Sequence, residues 1–144
     1  MLFRLPSVLY RAGLGALLGH RFLVLAHRGR RTGRLHRTPI EVVAYDRESG
    51  EAMAISAWGE CADWYRNLRA GSPAEVWLGA SRFAAEVRFL DHSETVDLLL
   101  DFRRRHPLEA RLARPILGWT LTGSEAEIER LAGRLRAVAF RPRT

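Results

Sequence analysis

Residues 82–89 read R-F-A-A-E-V-R-F, with polarity alternating at a period of two. Phe83, Ala85, Val87 and Phe89 fall on one side, and Arg82, Ala84, Glu86 and Arg88 on the other. Only an extended chain separates neighbours in this way, because successive side chains of a strand point to opposite faces of its sheet. A strand with one apolar face needs partners and a core to cover. Its partner is predicted at 74–78, joined through Gly79-Ala80-Ser81.

Further strands follow from the same reasoning. Residues 22–26 form a short apolar run, and 40–45 are rich in β-branched and aromatic residues. Ser49-Gly50 marks a turn, after which 52–57 returns as a third strand. Residues 137–140 read as a last strand ended by Pro142. Helices interrupt this pattern. One is predicted over 62–70, stopping near Gly71 and Pro73. A second starts from a Ser93 cap and runs to about 106, and a third starts from a Ser124/Glu127 capping box and runs to about 136.

The first twenty residues also read as a helix. Leu5, Leu9, Ala12 and Ala16 recur at helical spacing, and Arg4 and Arg11 lie on another face. That helix either covers one end of the core or rests on a membrane as an amphipathic segment. Regular β-α alternation is missing. The prediction is one α+β domain spanning 1–144, built on a largely antiparallel sheet or small barrel with peripheral helices. No apolar run approaches the ~20 residues that span a bilayer. The single cysteine, Cys61, permits no internal disulfide, and a cytoplasmic location is expected.

Charge is concentrated in one place. All 23 basic residues are arginine, and five of them lie in 27–40 (H-R-G-R-R-T-G-R-L-H-R-T-P-I). Without those five, 18 basic residues face 16 acidic ones, so most of the +7 net charge is local. Gly29 and Gly33 bracket a tight connection there, whose backbone N–H groups are expected to face a ligand. Arginine forks match phosphate and carboxylate bidentately. Arg30, Arg31, His36 and Arg37 therefore form a candidate grip for a multiply anionic small molecule, with a hydrated hairpin as the plainer alternative. Nucleic acid is disfavoured as the partner. The aromatics Trp58, Trp64 and Tyr65 cluster downstream, where they suit one flat ring rather than a stacked strand.

The usual catalytic patterns are missing. Residues 13–19 have the wrong spacing for a dinucleotide fingerprint, and Gly29 to Gly33 lack the spacing and lysine of a P-loop. The five histidines show no ligand spacing, Ser56 is not in a nucleophile elbow, and Cys61 reads as a semi-buried, inert thiol. No metal is expected.

The run G-R-R-T-G-R-L-H-R-T-P-I, then A-I-S-A-W-G, then D-W-Y-R-N-L-R-A resembles the deazaflavin-dependent nitroreductases and the related F420-dependent quinone reductase-like oxidoreductases. The match is ordered across 24–79 and continues weakly to the end. Gly59-Glu60 stands where relatives have a glycine pair, and 70–73 reads A-G-S-P for A-N-P.

The resemblance implies a split β-barrel like that of flavin reductases and pyridoxamine phosphate oxidases, with an N-terminal helix. It implies coenzyme F420 as cofactor, its acidic tail against the basic hairpin. Arg30 and Arg31 match phosphate-binding positions, and His36 falls where relatives usually have arginine. Pro39 and Ile40 match residues backing the deazaflavin ring, Ser56 the turn near its headgroup, and Trp64 and Asn67 the adjoining helix.

The expected activity is hydride transfer from reduced coenzyme F420 to an apolar electrophile such as a quinone, with Tyr65 or water as proton donor. The N-terminal helix would make a peripheral membrane contact on the way to such an acceptor. The alternative is a non-catalytic fatty-acid or lipid carrier of the same fold. The oligomeric state is left open.

Overall fold

The computed structural model describes residues 21–56, 59–108 and 123–143. Its strands are β1 (Phe22–Arg28), β2 (Leu35–Tyr45), β3 (Ala52–Ser56), β4 (Ala74–Leu78), β5 (Ser81–Phe89) and β6 (Arg136–Pro142). Around the wall they run β1, β2, β3, β6, β5, β4 and back to β1, and every neighbouring pair is antiparallel. Closure removes the unpaired edges that an open sheet would present. The expected α+β barrel is what forms.

Alternation decides which side chains fill the barrel. Leu23 and Leu25 of β1, Val76 and Leu78 of β4, Ala85 of β5, and Val138 and Phe140 of β6 all enter one buried cluster. A fully buried side chain such as Leu25 or Phe140 stabilises the fold by roughly 2 kcal/mol. The intervening residues face outward. On β2 a bulge between Val42 and Ala44 breaks the alternation, so Val42 and Tyr45, three positions apart, both pack on the barrel cluster while Val43 packs outside.

Helix α1 (Asp63–Arg69) lies across one end of the barrel, and Tyr65 and Leu68 enter the barrel cluster from it. Helices α2 (His92–Arg105) and α3 (Glu125–Arg134) form a second cluster outside the wall. There Leu99, Phe102, Ile128, Leu131, Ala132 and Leu135 pack with Val43 and Ile55.

Four expectations change. The α2 cap is Asp91, not Ser93: its carboxylate accepts from Glu94 N at 2.8 Å, and Glu94 Oε1 accepts from Asp91 N at 3.2 Å. This D-x-x-E box starts the helix two residues nearer the strand. β2 begins at Leu35, because its polar first half pairs residue by residue with β1. α3 stops at Arg134, and Arg136 already pairs with Ser56 in the sheet. Cys61 is exposed rather than semi-buried. The expected N-terminal helix and Trp58 lie outside the described residues. No helix among the described residues is long and apolar enough to cross a membrane.

Candidate active site

Helix α1 turns Tyr65, Asn67 and Leu68 toward the protein interior. A buried amide on such a face needs hydrogen-bond partners. Asn67 has three: its Oδ1 accepts from Arg30 N at 3.0 Å and from Arg30 Nη1 at 2.9 Å, and its Nδ2 lies 3.0 Å from His27 Nδ1. Both Arg30 groups are donors, so the amide oxygen must face the β1–β2 turn and the NH2 must face the imidazole. His27 Nδ1 is then an acceptor. The ring proton sits on Nε2 and is donated to Thr38 Oγ1 at 2.9 Å.

His27 is 3% exposed. Its pKa falls to about 4, chiefly because burial penalises the charged ring. The neighbouring His36 lowers it further, and Asp63 pulls in the opposite direction. The rings of His27 and His36 stack with centroids 5.5 Å apart.

The turn between β1 and β2 is closed by Gly29 N to Arg34 O at 2.8 Å and Gly33 N to Gly29 O at 2.9 Å. Gly33 has φ +70°, a conformation glycine adopts without strain. With Arg30 N committed to Asn67 and Arg34 N to Thr32 Oγ1 at 3.3 Å, the turn N–H groups of Arg31 and Thr32 are the ones without partners among the described residues. An anion grip here therefore rests on side chains more than on a backbone nest. Arg30 also pairs with Asp63 at 3.4 Å. The exposed side chains of Arg31 and Arg34 make no hydrogen bond or ion pair among the described residues.

Strand geometry divides the other candidates. His36 and Ile40 are on the inner face of β2 with Thr38. Arg37 and Pro39 are on the outer face, where Arg37 reaches the ring of Trp77 at 5.8 Å. Pro39 pairs with Val24, whose other neighbour is Trp77. Arg82 also lies over the Trp77 ring, 4.7 Å from its centroid.

Ser56 is buried at the end of β3 and donates to Gly59 O at 2.7 Å. Its hydroxyl proton is committed, which leaves lone pairs as what it offers a ligand. Glu60 pairs with Arg136 at 3.2 Å. Trp64 packs edge-on to Tyr65 at 6.2 Å, and Tyr65 edge-on to Phe89 at 5.6 Å. Among the described residues the Tyr65 hydroxyl has no hydrogen-bond partner, and it is not sealed from solvent.

The structure thus gathers Arg30, His36 and Asn67 at one end of α1 and sets Arg37 and Pro39 apart. Sequence reasoning missed His27 and Thr38. His27 was weighed only for metal-ligand spacing, and its partners lie 11 and 40 positions away.

The model of the family described as F420H(2)-dependent quinone reductase matches residues 4–109. The chain belongs to that family. Membership makes it an oxidoreductase that uses coenzyme F420. No curated protein matches it.

Solved structures agree on the fold. An F420-H2 dependent reductase aligns at TM-score 0.55 and 15% identity, over 85% of this chain and 95% of that one. A pyridoxamine 5'-phosphate oxidase-related, FMN-binding protein from Nostoc punctiforme aligns at TM-score 0.57 and 14% identity, over 96% and 80%. A protein related to general stress protein 26, of the pyridoxinephosphate oxidase family, from Clostridium acetobutylicum aligns at TM-score 0.56 and 7% identity, over 94% and 84%.

The residues at the turn fit such a coenzyme. Arg31 and Arg34 supply two cations without acidic partners among the described residues, beside an exposed His36. The space next to Gly33 is open, since a Cβ there would meet nothing within 4 Å. A polyanionic tail is the chemistry that this donor set can hold.

Proposed function

We propose that the protein holds reduced coenzyme F420 at the α1 end of the barrel and serves its oxidation by an apolar electrophilic acceptor such as a quinone. The observation that carries this reading is the pair of arginines on the turn beside α1, Arg31 and Arg34, whose side chains make no hydrogen bond or ion pair among the described residues. The same helix presents Tyr65, whose hydroxyl has no partner among those residues. The coenzyme supplies the hydride, which is why no dyad or metal set is required of the protein.

The protein supplies position and surroundings. Arg31 and Arg34 bind the acidic tail by charge-assisted hydrogen bonds, with His36 donating beside them. Arg30 and Asn67 hold the turn in place. Trp64 and the barrel residue Ile40 offer apolar surface that keeps water from the reacting end. Ser56 offers an acceptor at the β3 end. Tyr65 gives a proton from its hydroxyl to the reduced acceptor, a role that its lack of any other partner among the described residues leaves open to it.

A titration tests the reading. Purified protein is titrated with coenzyme F420, FMN and a long-chain fatty acid, each followed by fluorescence. Micromolar binding of coenzyme F420 in preference to FMN is expected. Tight fatty-acid binding with no coenzyme binding would make the protein a lipid carrier instead.

A further inference from the structure

We infer that His27 is a positioning residue of the coenzyme site: by accepting from Asn67 it fixes the amide that anchors Arg30, and so sets the turn that carries Arg31. The inference rests on the proposed binding of coenzyme F420 at that turn.

The geometry allows one arrangement. With Oδ1 toward the turn, Asn67 satisfies two donors of Arg30 and gives its own NH2 to His27 Nδ1. With the amide reversed, an NH2 group would face the Arg30 N–H and guanidinium, and an oxygen would face a ring nitrogen that carries no proton. Three hydrogen bonds would be lost in a buried place, where each unsatisfied group is costly. A proton on Nδ1 would be equally incompatible, because it would set N–H against N–H across 3.0 Å. The ring cannot rotate out of this choice, since its Nε2–H is held by Thr38 Oγ1 at 2.9 Å on the adjacent strand.

The imidazole therefore acts on the turn through Asn67 without needing to touch a ligand. The charged or titratable groups around it are His36 from β2, Arg30 from the turn and Asp63 from α1. Both the backbone and the guanidinium of Arg30 converge on the one amide oxygen, so Arg30 serves as the anchor. The side chain of the next residue, Arg31, makes no hydrogen bond or ion pair among the described residues. Neutral His27, one amide orientation and one turn geometry form a single linked state.

The first test uses the wild-type protein. Nitrogen-15 shifts of the His27 ring should report the neutral tautomer with its proton on Nε2, and the Arg30 amide should exchange slowly with solvent. A proton on Nδ1, or unprotected exchange at Arg30, would overturn the inference whether or not any variant folds.

The second test compares variants. His27→Phe should speed Arg30 amide exchange and raise the Kd for coenzyme F420 by about tenfold, the scale of losing a buried hydrogen bond. His27→Asn can place an oxygen near the lost Nδ1 acceptor and should recover much of that affinity, which a merely space-filling role would not predict. A Kd for His27→Phe within about twofold of wild type would overturn the inference. Failure of the wild type to bind the coenzyme would overturn the proposed function, and the coenzyme part of this inference with it. A wild type that binds but carries the wrong tautomer would overturn the inference alone.

Discussion

His36 and Arg37 are adjacent in β2 yet lie on opposite faces of the barrel wall: His36 stacks on His27 at 5.5 Å, while Arg37 reaches Trp77 at 5.8 Å. The alternation of a strand forces this separation. A cluster of cations that is continuous in sequence is thereby split in space.

The split predicts unequal effects of two similar substitutions. Arg31→Ala should weaken coenzyme F420 binding by more than about 1 kcal/mol, the scale of a hydrogen bond to a charged group. Arg37→Ala should cost less than half as much. Isothermal titration of both variants measures this, and equal losses would place the coenzyme across both faces.

His27 makes stability depend on pH with a defined sign. Its pKa is 6.5 as the ordinary value and about 4 in the folded protein, so between these values the unfolded chain binds more protons. Stability should therefore fall as pH drops from 6.5 toward about 4, by on the order of 3 kcal/mol at most. Urea unfolding at pH 7 and pH 4.5 would show the loss, and His27→Phe should remove this part of it.

Two glycines should respond oppositely to alanine. Gly59 has φ +59°, and a Cβ there would lie 2.6 Å from the backbone oxygen of Arg134. Gly59→Ala should cost at least about 2 kcal/mol from the left-handed backbone and the clash together. Gly133 lies inside α3, where a Cβ would meet nothing within 4 Å. Gly133→Ala should stabilise by roughly 0.5–1 kcal/mol. Denaturant midpoints of the two variants test both signs.

Removing the Tyr65 hydroxyl should affect turnover more than stability. The hydroxyl has no hydrogen-bond partner among the described residues, so Tyr65→Phe leaves none of their groups orphaned and keeps the edge-on contact with Phe89. We expect kcat to fall by at least about tenfold with KM and Tm nearly unchanged, on the scale of general acid catalysis. Unchanged kcat would transfer the proton-donor role to water.

The parts of the structure that were legible in the sequence are those written in local periodicity. The alternation at 82–89, its 74–78 partner and the short helix with Tyr65 and Leu68 all appear where the spacing puts them. The start of β2 was not legible, because Leu35, His36 and Arg37 are exposed and show no apolar face. Only pairing with β1 makes them a strand. Asp91 was hidden by a nearby serine, although the D-x-x-E spacing was there to be read. His27 was illegible for a different reason. Its meaning comes from Thr38 across one strand pair and Asn67 across the barrel end, and neither contact exists without the register of the folded sheet.

The central claim is that the turn and α1 together hold reduced coenzyme F420 for oxidation by a quinone-like acceptor. Its most direct measurement mixes purified protein with reduced coenzyme F420 and menadione and follows the return of the oxidised deazaflavin chromophore. The account predicts turnover that saturates in both reactants and is sharply reduced in Arg31→Ala at low coenzyme concentration. No oxidation above the protein-free rate, with coenzyme and menadione both present at saturating concentrations, would contradict it.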